Sequence, residues 1–162
     1  MRRFILRAFL WLTVFWLVLP PFVYPVRGPI TSSFFIRQAP EARIFLSLEL
    51  HSGLDIAAPA GTAIRAAKSG IVTRAGYTET AGNYVELRHL LGFSTYYSHL
   101  SEIRVRQGQF RPKWFRIGDV GSTGRSTGPH LHFEVRWLGF RVPPRVFLAF
   151  SGLRYRLLEA IR

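Results

Sequence analysis

The sequence predicts a mostly β protein, one compact domain behind an N-terminal membrane-spanning helix, and three observations carry that prediction. Ten prolines and fourteen glycines lie between short runs rich in Val, Ile, Phe, Tyr and Thr, which favours strands joined by turns over long helices. Hydrophobic residues make up 48% of the 162, enough to bury one core, and no stretch repeats at a solenoid period or is low in complexity. Finally, Ala8 to Val26 carries no charge and has arginines crowded before it. The organisation expected is a membrane anchor or signal sequence over 1–26, a folded domain over 27–150 and a basic tail over 151–162.

The first element follows from length and charge. Nineteen uncharged residues would span roughly 28 Å as a helix, close to a bilayer core of about 30 Å. Pro20, Pro21 and Pro25 restrict the helix to Phe4–Leu19, with Trp11, Trp16 and Tyr24 able to anchor at interfaces. Arg2, Arg3 and Arg7 precede the run and only Arg27 immediately follows it, so the positive-inside rule places the N-terminus in the cytoplasm. The domain then lies outside, periplasmic or extracytoplasmic, on a single-pass chain of the cell membrane. A cleaved signal peptide is the competing reading, but Pro25-Val26-Arg27-Gly28 is a poor substitute for a small-x-small site.

The formal charge of +13 is almost all arginine and points to a polyanionic partner, without choosing among nucleic acid, anionic lipid and an acidic envelope polymer. With no cysteine, the chain lacks disulfides and thiolate ligands, so any metal must sit on histidine and carboxylate. Aromatics interrupt the arginine-rich stretch from Arg104 to Arg116, a pattern compatible with nucleic-acid contact. The exported topology argues against it, and no nucleic-acid partner is expected. The run GDVGSTGRSTGPH at 118–130 has no GK[ST] and leads into a strand, so it reads as a turn positioning His130 and not as a phosphate loop.

Four of the five histidines and one aspartate fall in HSGLD at 51–55, YYSHL at 96–100 and GPHLHFEV at 128–135. Gly53, Pro59 and Gly61 disfavour a helix at the first motif. As a strand it puts His51, Gly53 and Asp55 on one face, with Ser52, Leu54 and Ile56 toward a core. The same alternation groups His130, His132 and Glu134 opposite Leu131, Phe133 and Val135, and places His99 on a face with Thr95 and Tyr97. Three strands thus supply one polar cluster. A catalytic zinc usually takes three protein ligands from His and Asp or Glu and leaves a position for water, whose pKa it lowers to about 7; an unligated imidazole can then move the proton. His89, at the end of VELRH, is expected to be structural, and Glu134 either orients a ligand imidazole or pairs with a neighbouring arginine.

The motifs HxGxD at 51–55, YxHL around His99 and STGPHLHFE at 126–134 resemble those of the lysostaphin-type zinc endopeptidases, which act as peptidoglycan hydrolases. The likeness extends over TSSFFIR at 31–37, DIAAPAGTAIRAAKSGIVTRAG at 55–76 and GNYVELRH at 82–89, covering about Gly28 to Pro144. It implies one zinc ion held by His51, Asp55 and His132, with His99 and His130 as the catalytic histidines. It also implies a compact antiparallel, sandwich-like β fold with a groove, and cleavage of stem peptides or cross-links in the cell wall. The complete residue set implies an active enzyme; the alternative is a silent envelope-binding module that regulates another hydrolase. This sequence departs from the family pattern at Phe35 and Trp114, where glycine is usual, and at Arg111, where an apolar residue is usual. The closing RVFLAFSGLRYRLLEAIR suits a basic amphipathic helix on lipid, or a cap on the domain.

Overall fold

The computed structural model describes residues 22–38 and 48–149, so the expected anchor helix and the 151–162 tail lie outside the described residues. Among the described residues no helix is long and apolar enough to cross a membrane. Twelve strands follow in order: β1 (Ile30–Ser32), β2 (Phe35–Gln38), β3 (Leu48–His51), β4 (Leu54–Ala57), β5 (Ala63–Arg65) and β6 (Gly70–Thr78), then β7 (Gly82–Arg88), β8 (Phe93–Ile103), β9 (Phe110–Arg111), β10 (Arg116–Val120), β11 (His130–Trp137) and β12 (Phe140–Val142). A 3-10 turn, Leu90–Gly92, precedes β8, and residues 144–149 are helical.

Every pairing among these strands is antiparallel, as the resemblance implies. The main sheet runs β1-β4-β11-β8-β7-β6-β9; β12 adds to β11, and β10 bridges β8 and β5. β2 and β3 form a separate ribbon in which Phe35 lies opposite His51. The long strand β8 organises the site. One of its edges pairs with β11 as far as Ser98 and then, from Leu100 onward, with β10. His99 sits where one neighbour gives way to the other.

The core lies on the face where alternation sends Leu131, Phe133 and Val135, together with Leu54, Ile56, Leu87, Tyr97 and Ile117, all fully buried. Phe22, Val23 and Val26 also pack in the domain, and Val23 N donates to Ala67 O at 2.9 Å. The boundary expected between residues 26 and 27 therefore runs through chain that packs as part of the domain.

Two strand readings need correction. HSGLD is not one strand: β3 ends at His51, β4 starts at Leu54, and Ser52 faces the polar side, where its hydroxyl donates to Glu134 Oε1 at 2.5 Å. His99 does not share a face with Thr95 and Tyr97. Those two side chains are buried, while His99 has φ +64° within a β-bulge, where Asn83 and Val85 oppose Leu100 and Tyr97. The extra residue turns His99 over to the face of Ser98 and His132.

Buried His89 is structural, as expected. Its Nδ1 donates to Ser69 O at 2.9 Å, its Nε2 lies 2.8 Å from Thr95 Oγ1, and its ring meets Phe22 edge-on.

Candidate metal centre

All five residues singled out from the sequence converge. His51 arrives at the end of β3, Asp55 from β4, His130 and His132 from β11, and His99 from the bulge in β8. Backbone register explains the convergence: His132 is opposite Asp55 on one side and Ser98 on the other. His51 Nε2 lies 3.1 Å from Asp55 Oδ1 and 3.1 Å from His132 Nδ1, and the latter two atoms are 2.8 Å apart.

The donor set fits a zinc ion. Ligand atoms at about 2.0–2.2 Å from a tetrahedral zinc lie roughly 3.3–3.6 Å from one another, a few tenths of an ångström wider than the 2.8–3.1 Å between these three atoms. The charge fits as well. Burial works against ionised Asp55, but hydrogen bonds from His132 and His51 outweigh it and hold the carboxylate well below the usual range. For His132, burial opposes charge, yet Asp55 and Glu134 raise its affinity for a proton. The pocket thus favours positive charge between its carboxylates and imidazoles.

Each imidazole has one nitrogen fastened and the other left for the site. His51 Nδ1 donates to Ser33 O at 2.8 Å, His99 Nδ1 to Thr123 O at 2.8 Å and His130 Nδ1 to Gly128 O at 2.8 Å. A donor nitrogen on a carbonyl leaves the lone pair of a neutral ring on Nε2. Of the run 118–130 expected as a turn, Gly118–Val120 belong to β10 and Gly121 bridges to His130; the remainder does position His130, because Gly128 within it supplies the carbonyl. Burial pushes His99 down to about 4 against the raising effect of Thr123 O, so that ring is neutral near pH 7. The His99 and His130 rings lie with centroids 4.8 Å apart.

His132 is fastened the other way round: Nδ1 faces Asp55, and Nε2 lies 3.4 Å from Glu134 Oε1. Burial resists charge on Glu134, but His132, Ser52 and Arg136 hold it down at about 2. Both alternatives weighed for Glu134 apply, since it contacts the candidate ligand and also pairs with Arg136 at 2.6 Å and Arg141 at 3.4 Å.

Sequence reasoning missed Ser52, Gly53 and Ser33. A Cβ on Gly53 would sit 2.6 Å from Phe133 O and 2.8 Å from His132 Cε1 and Nε2, so the central glycine of HSGLD gives room to the imidazole. The spacing of the motif was the available signal, but contact with a ring 79 residues away was not legible.

Two open cavities, of about 410 and 400 Å³, meet at His99, Arg125 and His132, forming a groove through the centre. Neither Arg111 nor Trp114 lines them. Arg111 stacks on Phe115 and bonds Gln109, while Trp114 keeps the left-handed backbone suited to glycine, with φ +73°.

Residues 49–144 match the family model described as Peptidase family M23. The DD-carboxypeptidase/endopeptidase Mpg of Neisseria meningitidis serogroup B is 47% identical over 115 residues, covering 71% of this chain and 26% of that protein. The catalytic domain of lysostaphin from Staphylococcus simulans superposes with a TM-score of 0.66 at 30% identity, covering 75% of this chain and 92% of that one. A zinc-containing peptidase from Vibrio cholerae gives 0.68 at 34% identity, covering 76% and 39%. The chain spans about a quarter of the length of the curated relatives it matches first. With more than half its residues matched to the family model, and with the motifs and antiparallel sheet of the lysostaphin-type peptidases, the chain belongs to Peptidase family M23.

Proposed function

We propose that this chain is a zinc-dependent endopeptidase that hydrolyses peptide bonds in peptidoglycan stem peptides or cross-links. In this reading it is held at the cell membrane by its N-terminal segment, with the domain extracytoplasmic. One observation carries the catalytic part: a compact His51-Asp55-His132 donor set stands beside two further imidazoles, each fastened through Nδ1, in an open groove. Relatives described as peptidoglycan DD-endopeptidases support the choice of substrate.

His51, Asp55 and His132 would hold the metal, and Ser33 and Glu134 would set the orientation of the two ligand rings. Bound zinc supplies Lewis acidity toward the scissile carbonyl and acidifies water. Either His99 or His130 can accept the proton that the attacking water gives up, at its Nε2, and return it to the leaving amine, a task suited to a ring already held in one tautomer. The groove positions the peptide across these groups, which lowers the entropic part of the barrier.

The full chain, incubated with purified peptidoglycan, should release cross-link or stem-peptide fragments by mass spectrometry. Chelator should abolish release and added zinc restore it. Cleavage that resists chelator would remove the zinc, and tight zinc binding without cleavage of any wall substrate would favour the silent regulatory module.

A further inference from the structure

The end of the domain away from the metal centre carries a surface that the proposed reaction does not use. There the Leu90–Gly92 turn lies against the β11–β12 turn: Leu138 N donates to Gly92 O at 2.9 Å and Trp137 Nε1 to Leu91 O at 3.1 Å. These two turns leave Leu90 81%, Phe140 77% and Leu138 65% exposed. The tips are rooted in packed structure. Phe93 stacks on Trp137 at 6.2 Å and meets Phe22 and Phe147 edge-on at 5.7 and 5.5 Å. A clustered apolar ridge held this firmly marks an interaction site more often than scattered exposed leucines do.

Two further observations identify what it meets. Segments 88–93 and 135–149 contain four arginines and no acidic residue; Arg136 and Arg141 pair with Glu134, and Arg88 and Arg145 are exposed. Phe22, in the aromatic group under the ridge, is also where the chain arrives from the uncharged residues 8–21. Apolar and aromatic tips on exposed turns, flanked by arginine beside an apolar segment, have the composition of a surface that lies in a lipid headgroup layer.

We propose that this end of the domain is a bilayer-docking face, in which Leu90, Leu91, Leu138 and Phe140 insert into an anionic lipid surface while Arg88 and Arg145 meet its phosphates. The inference rests on the reading that the N-terminal segment reaches a membrane. Insertion to roughly 5–10 Å is typical of interfacial elements. His132 stands five residues from Trp137 along β11, about 17 Å of strand. Docking would thus hold the metal centre close above the headgroups, facing the wall peptides nearest the membrane.

The chain has no cysteine, so single probes can be placed cleanly. The full chain carrying Leu138→Cys, Phe140→Cys or, at the opposite end of the β6–β7 hairpin, Glu79→Cys would be labelled with a polarity-sensitive fluorophore. Each would be reconstituted in phosphatidylglycerol/phosphatidylethanolamine vesicles or in phosphatidylcholine alone. In the anionic vesicles, nitroxide-labelled lipid should quench the probes at 138 and 140 at least twofold more than aqueous iodide does, with the reverse at 79. Adding Leu90→Asp to the Phe140 probe should halve the lipid quenching, as should phosphatidylcholine alone. Equal quenching in both lipids would overturn the anionic surface. Probes at 138 and 140 as open to iodide as the one at 79 would overturn docking; probes hidden from both quenchers would assign the ridge to a protein contact or the chain's own tail. Failure of the chain to sediment with vesicles would overturn docking and the anchor together, while chelator-sensitive wall cleavage reports independently on the peptidase reading.

Discussion

Gly53→Ala tests the link between the HSGLD motif and the geometry of the metal centre. The added methyl would lie 2.6 Å from Phe133 O and 2.8 Å from two atoms of the His132 ring, some 0.7–1 Å inside the separation of about 3.5 Å at which such atoms attract. Neither neighbour yields freely. Phe133 O belongs to β11, which is paired to β4 at Leu54, and the His132 ring is held between Asp55 and Glu134. Overpacking of this sort costs about 1–3 kcal/mol of stability. A displacement of several tenths of an ångström in a candidate ligand should lower the cleavage rate by roughly tenfold to a hundredfold, given that 1 Å of misplacement costs about a hundredfold. Muropeptide hydrolysis, zinc content after dialysis and the urea midpoint would be measured together. Gly76→Ala is the control, because its Cβ would meet only Tyr84, at 3.9 Å. If Gly53→Ala kept wild-type rate, zinc and midpoint, the close approach of Gly53 to His132 would not be what the motif's glycine serves.

Three further outcomes are expected. His51→Ala, Asp55→Ala and His132→Ala should lose zinc on dialysis, whereas His99→Ala and His130→Ala should keep it while the rate falls about a hundredfold or more; zinc loss in all five would refute the division of roles. Burial lowers His89 from its ordinary 6.5 to about 4. Between those values the unfolded chain binds a proton that the folded chain refuses, so this group's contribution to stability is intact above pH 6.5 and declines by about 1.4 kcal/mol per pH unit below it. Urea midpoints for wild type and His89→Gln should therefore diverge in slope from pH 6.5 to 4.5, and parallel slopes would count against the burial argument. At residue 114, in the turn between β9 and β10 where φ is +73°, Trp114→Gly should be more stable than Trp114→Ala by about 1 kcal/mol, reversing the usual cost of glycine relative to alanine. Equal thermal midpoints for the two would mean that the left-handed backbone is not retained.

By itself the sequence determined which candidate donor residues were available and much of the local geometry. The alternation in HLHFEV was enough to put His130, His132 and Glu134 on one face and three apolar residues in the core, because side chains alternate along any regular strand. Turn residues between short β-rich runs likewise indicated a mostly β domain, and HSGLD, YYSHL and GPHLHFEV singled out the five candidate residues that converge in the fold. Tertiary structure decided what alternation does not govern. His99 reaches the site only because a bulge, stabilised by pairing with β7 on one side and by the change from β11 to β10 on the other, gives it a left-handed φ. Ser52 turns to Glu134 because β3 and β4 are separate strands, and Gly53 matters because an imidazole from β11 occupies the space its side chain would take. Contacts made across 79 to 82 residues depend on register between strands, and that register emerges only when the whole sheet is assembled.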